Sequence, residues 1–219
     1  MARASVEGES GRRSRRGPAQ PGDIEQAVCD AAERLLAGER LADLSVAQIL
    51  REAQVSRASF YFYFASKHAV LARLAERVVD EVYGATQTWL HRADGEPPHA
   101  ALETAVRSAA QLWRTHGPVV RAMVESWHTA PEIGDLWERL IGRFTDAAAE
   151  QIERERAAGV APSGGPPART LAATLTWMTE RSLYLALTSG EPEFADEEGL
   201  VTTLTDVWWR SIYAPAPAA

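Results

Sequence analysis

Five consecutive aromatic residues, Phe60-Tyr61-Phe62-Tyr63-Phe64, lie between Arg57 and the helix-start pair Ser66-Lys67. A short helix buries one stripe, and residues four apart share it, so Phe60 and Phe64 are expected to point inward. The aromatics between them cannot all follow. The opposite face is then expected to carry Arg57, Ala58, Tyr61 and Phe62. An exposed surface of rings and arginine calls for a partner.

The residues upstream suggest what that partner is. Ser45 is suited to cap a short helix running to about residue 52, with Val46, Ile49 and Leu50 on one face. Ala53-Gln54-Val55 makes a tight connection, and Ser56 caps a second short helix. Two short helices joined in this way form the helix-turn-helix pattern, whose second helix enters the major groove of DNA. Arg57 suits the O6/N7 edge of guanine and Ala58 a thymine methyl. Ser45, Ser56, Tyr61, Tyr63 and Lys67 suit phosphate oxygens, and Lys67 lies in the first turn of the following helix, where backbone N–H groups favour an anion.

The run from Leu44-Ser45-Val46 through Ile49, Ala53-Gln54-Val55-Ser56-Arg57-Ala58-Ser59 and the aromatic stretch to Ala65-Ser66-Lys67 resembles the N-terminal domain of TetR-family transcriptional repressors. Ser45, Leu50, Gln54 and Ser59 stand where the family pattern has Thr, Ala, Gly and Thr. Within the family the resemblance is greatest to the EthR-like branch. Ser56-Arg57, the stretch from Ser59 to Phe64, Ser66-Lys67, Ala69-Val70-Leu71, Asp135-Leu136-Trp137, Glu180-Arg181 and Ser211-Ile212-Tyr213 carry it. It implies DNA contacts by Ser45, Ser56, Arg57, Ala58, Ser59, Tyr61, Phe62, Tyr63 and Lys67.

At 219 residues and 46% hydrophobic content the chain is long enough to bury a sizeable core. The net charge of −7 argues against coating nucleic acid by bulk charge. The distribution is more telling. Residues 1–22 hold Arg3, Arg12, Arg13, Arg15 and Arg16 against Glu7 and Glu9, a local +3 that leaves −10 for the rest. A basic tail beside an acidic body fits local DNA contact, and equally fits a solubilising disordered end. The single cysteine, Cys29, excludes an internal disulfide and reads as core filler. No apolar run reaches membrane-spanning length and no hydrophobic signal core opens the chain, so a cytoplasmic protein without membrane attachment is expected.

Apolar periodicity and breakers predict an all-α chain of nine helices. A disordered basic tail (1–22) precedes a three-helix helix-turn-helix domain (23–68). A six-helix ligand-binding and dimerisation domain (69–213) and a fraying tail (214–219) follow. Ser66 opens a fourth helix expected to run to about residue 91. Further helices are expected at about 99–115, 118–129, 131–158, 168–189 and 196–213, separated by Gly/Pro breaks.

All seven tryptophans lie beyond residue 88. They read as ordinary core or, taken together, as the walls of an apolar cleft between helices. Thr176, Thr179 and Glu180 are candidate polar handles for that cleft, or solvent-facing helix residues. The resemblance implies a hydrophobic ligand tunnel. Carried over position by position, it implies Leu102, Val106, Trp113, Trp137, Ile141, Phe144, Thr176, Thr179, Glu180, Tyr184 and Trp208 as its lining. Thr176 and Thr179 replace amides of the EthR-like branch. The last two long helices carry Leu171, Leu175, Met178, Leu183, Leu187, Leu200, Leu204, Val207 and Ile212. These serve one core, or build the homodimer interface that the resemblance implies.

The expected function is therefore that of a repressor binding double-stranded operator DNA as a homodimer and released by a small hydrophobic effector. The alternative is a helical carrier that does not use DNA. An enzyme is not expected: the five histidines lack metal-ligand spacing, and no phosphate-binding loop or nucleophile-elbow pattern occurs, so neither metal nor cofactor is expected.

Overall fold

The computed structural model describes residues 21–93 and 95–214, and among these the chain is helical with no strand. The five tail arginines, Asp94 and residues 215–219 lie outside the described residues. The helices are α1 (Pro21–Leu36), α2 (Val46–Ala53), α3 (Arg57–Tyr63), α4 (Lys67–Ala85), α5 (Gln87–Leu90), α6 (Pro98–Thr115), α7 (Gly117–Ser126), α8 (Pro131–Ala157), α9 (Ala168–Thr188), α10 (Pro192–Ala195) and α11 (Glu197–Tyr213).

Serine caps set the frame of the N-terminal unit. Ser45 Oγ accepts the Gln48 N–H at 3.3 Å while Gln48 Oε1 accepts the Ser45 N–H at 2.9 Å, a reciprocal box that closes the start of α2. Ser56 Oγ accepts the Ser59 N–H at 3.0 Å to start α3. Ser66 Oγ accepts the N–H groups of His68 and Ala69, both at 3.1 Å, to start α4. Gln54 makes the turn between α2 and α3 in the left-handed region (φ 56°, ψ 37°). That conformation costs any residue with a Cβ more than it costs glycine.

Nine helices were expected, and two single turns make the difference. α4 stops at Ala85 because three groups converge on the Tyr83 carbonyl: the Thr86 hydroxyl (2.9 Å), the Gln87 side-chain amide (3.0 Å) and the Thr86 N–H (3.3 Å). Side chains that compete for a backbone acceptor interrupt the helical ladder. The chain resumes as α5. Pro192 similarly starts the one-turn α10 before α11.

α1, α2 and α3 close over Val28, Leu36, Leu44, Ile49, Phe60 and Phe64, all buried. The core does not end there. It continues along α4 through Val70, Leu71, Leu74 and Val78 into a larger cluster shared by α6, α7, α8, α9 and α11. α4 thus belongs to both halves. α1 packs on α4 and on α7, while α8 packs on α9 and α6 on α11. One charged pair is buried among them: Arg92, after α5, meets Glu155 of α8 with two hydrogen bonds of 2.9 and 3.0 Å. Gln151 donates to the same carboxylate at 2.6 Å. Cys29 is buried and free, and desolvation pushes its thiol up to about 11, which fits an inert core residue.

The apolar stripes of α9 and α11 mostly serve the chain's own core. Leu171, Leu175, Leu183, Leu200, Leu204 and Ile212 are buried within it. Met178 and Leu187 are half-buried and Val207 is exposed, so these three keep outward surface. No described helix is long and apolar enough to cross a membrane.

Candidate functional site: an exposed helix face and a buried cavity

α3 is seven residues long, and its inward stripe is Phe60, whose ring packs 5.7 Å from that of Phe64 just past the helix end. Arg57, Ala58, Tyr61 and Phe62 face solvent, with Phe62 81% exposed and Tyr61 46%. The Arg57 guanidinium lies 5.3 Å from the centroid of the Tyr61 ring, which restrains a long side chain on the open face. Ser45 and Ser56 are exposed beside their helix starts, Ser59 is half-buried with its hydroxyl 2.8 Å from that of Ser56, and Tyr63 packs partly against the core.

Lys67 departs from its expected place. Its ammonium donates to the carbonyls of Leu41 (2.7 Å), Ala42 (3.0 Å) and Leu44 (2.7 Å). An ammonium has three donors, and all three are used inside the protein. The adjacent helix start is filled as well, because Ser66 Oγ takes its first free N–H groups. Lys67 therefore fastens the turn before α2 to the start of α4, with its ammonium on backbone carbonyls.

The second site is a cavity of about 140 Å³ in the C-terminal half. Leu102, Val106 and Trp113 of α6, Trp137, Ile141 and Phe144 of α8, Thr176, Thr179 and Glu180 of α9, and Trp208 of α11 all line it. Tyr184, expected with them, does not. It sits one turn beyond Glu180, half-buried against the core, with its ring under the Arg181 guanidinium, 5.1 Å away. The sequence reading missed the walls given by α4 and α7: Val78, Val79, Val82, Val120 and Met123. The signal was faint, since Val78 and Val82 lie on an i, i+4 apolar stripe, which says nothing about whether it meets atoms or empty space.

The wall is apolar apart from a few groups with distinct fates. The Trp208 indole N–H donates to Thr179 Oγ1 at 2.8 Å, which fixes ring and hydroxyl together. The Trp89 indole N–H donates to the Tyr213 hydroxyl at 3.1 Å. Trp113 and Trp137 meet edge to face with centroids 6.3 Å apart. Glu180 is 3% exposed, and neither of its carboxylate oxygens has a hydrogen-bond partner. Burial raises its pKa above the ordinary value, and the nearby Arg181 offsets part of that rise.

α7 joins the two sites. Val120 and Met123 face the cavity, while Arg121 donates to the Leu36 carbonyl at the end of α1 (3.1 Å) and Glu125 accepts from Arg40 (3.2 Å). At the turn between α6 and α7, His116 Nε2 lies 3.0 Å from Glu81 of α4, and its Nδ1 lies 3.8 Å from Glu33 of α1.

Known proteins share this layout. Residues 28–74 match the family of bacterial regulatory proteins named for TetR, and residues 102–214 match the C-terminal domain of the transcriptional regulator EthR. The chain is 33% identical to the HTH-type transcriptional regulator EthR of Mycolicibacterium smegmatis over 207 residues, 94% of this chain and 93% of that protein. It is 35% identical to the EthR of Mycobacterium tuberculosis over 191 residues, 87% of this chain and 88% of that protein. A putative TetR-family regulator from Syntrophomonas wolfei superimposes with a TM-score of 0.71 at 14% identity, over 87% of this chain and 95% of that one.

Proposed function

The chain belongs to the TetR family of bacterial transcriptional regulators, with an EthR-type C-terminal domain, and on that premise we propose how it regulates. It is a regulator and not an enzyme, and regulators of this family bind operator DNA and form dimers. In the proposed reading, residues 23–68 read the operator and residues 69–213 bind the effector and the partner subunit. Arg57, Ala58 and Phe62 meet base edges, while Ser45, Ser56, Ser59, Tyr61 and Tyr63 meet the backbone of the duplex. α9 and α11 pair with the same helices of a second copy, through the outward Met178, Leu187 and Val207 and the polar residues around them. The pairing sets two copies of α3 about 34 Å apart, or a multiple of that. The protein acts where its operator is, in the cytoplasm.

The effector is a small lipophile held in the cavity. The observation that carries this reading is the double duty of α4 and α7. Each lines the cavity on one side and holds the DNA-reading unit on the other: α4 through the Val70 and Leu71 packing and Lys67, α7 through Arg121 and Glu125. A ligand that fits better when these helices shift favours a spacing of the two α3 helices that no longer matches the operator. The release it causes is bounded by its difference in affinity for the two states.

Selection of bound fragments from the organism's own genomic DNA, followed by sizing of the complexes in solution, tests the first part. A recurring sequence with two half-sites, bound by an even number of chains, is expected. No enrichment, or one chain per fragment, would contradict it.

A further inference from the structure

We propose that the cavity is built to take a lipophilic amine, whose ammonium pairs with the buried carboxyl of Glu180 while its hydrocarbon part lies against the indole rings. The proposal rests on the cavity reading above and adds the chemical class of the ligand.

A carboxyl group inside an apolar wall is a costly feature unless something meets it. Glu180 is the one ionisable side chain that lines this cavity among the described residues. Both of its oxygens are buried without a hydrogen-bond partner. The nearest charge is Arg181, and it does not answer the need: its Nε lies 3.7 Å from Oε2, beyond hydrogen-bond reach, and its guanidinium leans over Tyr184 with about half its side chain in solvent. Two other polar wall groups are already engaged. Thr179 accepts from Trp208, and the Thr86 hydroxyl donates to Tyr83.

Three classes of lipophile fit such a chamber, and the wall discriminates among them. A fatty acid would bring a second negative charge beside Glu180, with no basic side chain in the lining to offset it. A neutral lipid would leave at least one carboxylate oxygen unmet. An ammonium supplies charge and several donors at once, and charge-assisted hydrogen bonds are about twice as strong as neutral ones. The walls add to it, because Trp113, Trp137 and Trp208 present indole faces and edges to the same space, and an indole face attracts a cation.

The test is a titration of the full-length protein with decan-1-amine, decan-1-ol and decanoate, each below the concentration at which it self-associates. Tryptophan fluorescence reads binding to wild type and to Glu180→Gln, which keeps the shape and removes the charge. The amine is expected to bind wild type at least about tenfold more tightly than the alcohol. Decanoate is expected to be weakest. In Glu180→Gln the advantage of the amine over the alcohol should vanish. Equal binding of amine and alcohol to wild type overturns the proposal and leaves the cavity reading intact. So does an amine advantage that survives in Glu180→Gln, since it would come from the acidic surface. If none of the three compounds binds wild type, the cavity reading itself falls and takes the proposal with it.

Discussion

Lys67 is the chain's single lysine beside 22 arginines, and its surroundings account for the choice. Three carbonyls, those of Leu41, Ala42 and Leu44, converge on one point within 3.0 Å. A compact ammonium with three radiating donors fits that point, whereas the flat fork of a guanidinium does not. Lys67→Arg is therefore expected to lower the thermal midpoint nearly as much as Lys67→Ala, by a loss on the order of 1–3 kcal/mol. Arg57→Ala should leave the midpoint alone and weaken operator binding by about 1–3 kcal/mol, with relaxed preference at one base pair. Melting curves and binding isotherms on the three variants separate these roles; a Lys67→Arg protein as stable as wild type would contradict the three-carbonyl account. Glu180 gives a residue-scale expectation of opposite sign. Its folded pKa is raised above 4.5 by burial, so the native state holds its proton more tightly than the unfolded chain does. Below the unfolded value the group is protonated in both states and costs nothing extra. As pH rises above 4.5 the unfolded chain gains by ionising first, so native stability falls. Glu180→Gln should match wild type in stability near pH 4 and exceed it at neutral pH, with the gap opening as pH rises. Parallel denaturant titrations across that range would show a constant gap if the carboxyl were not desolvated.

At the scale of elements, the buried pair between Arg92 and Glu155 ties the end of α5 to α8, and its partners are nearly fully enclosed. Removing one member of such a pair leaves an unpaired charge inside, so Arg92→Ala is expected to cost about 3–5 kcal/mol, read by chemical denaturation. A loss below about 1 kcal/mol would mean that water reaches Glu155 and screens it. The sequence signals differed in how far they reached. Caps and breakers located most of the long helices, because Ser45, Ser56, Ser66 and Pro131 act within one turn of themselves. The aromatic run could be divided into inward and outward residues by spacing alone, since Phe60 and Phe64 had only one stripe to share. The break at Thr86 was illegible because it depends on which of two side chains reaches the Tyr83 carbonyl. The inward reach of Lys67 was illegible for a related reason: a cation at a helix start looks the same whether it faces solvent or curls back onto a turn more than twenty residues earlier. Ten of the eleven expected cavity residues do line the cavity. Leu102, Val106 and Ile141 came through the resemblance alone, whereas the tryptophans and the handles Thr176, Thr179 and Glu180 were also readable as a cleft, though periodicity could not separate a wall from a core. Tyr184 lies outside the lining because the stripe of α9 that faces the cavity runs Thr176, Thr179, Glu180 and Leu183, and ends there.

For the molecule as a whole, one continuous core runs from the helix-turn-helix unit into the C-terminal helices. In the proposed reading, α4 and α7 do not merely connect the helix-turn-helix unit to the cavity; each turns one face to the first and another to the second. Pressure on Val78, Val82, Val120 or Met123 therefore has a direct mechanical route to α1 and the turn held by Lys67. Anisotropy of a labelled operator fragment, titrated with decan-1-ol while tryptophan quenching is followed in the same cuvette, tests this most directly. A substitution that fills the chamber, Thr179→Trp, serves as control. The account expects DNA release and quenching to share one midpoint in wild type, and neither to respond to the alcohol in Thr179→Trp. Quenching that saturates while the DNA stays bound would contradict it, because the cavity would then be occupied without moving the helices that read the operator.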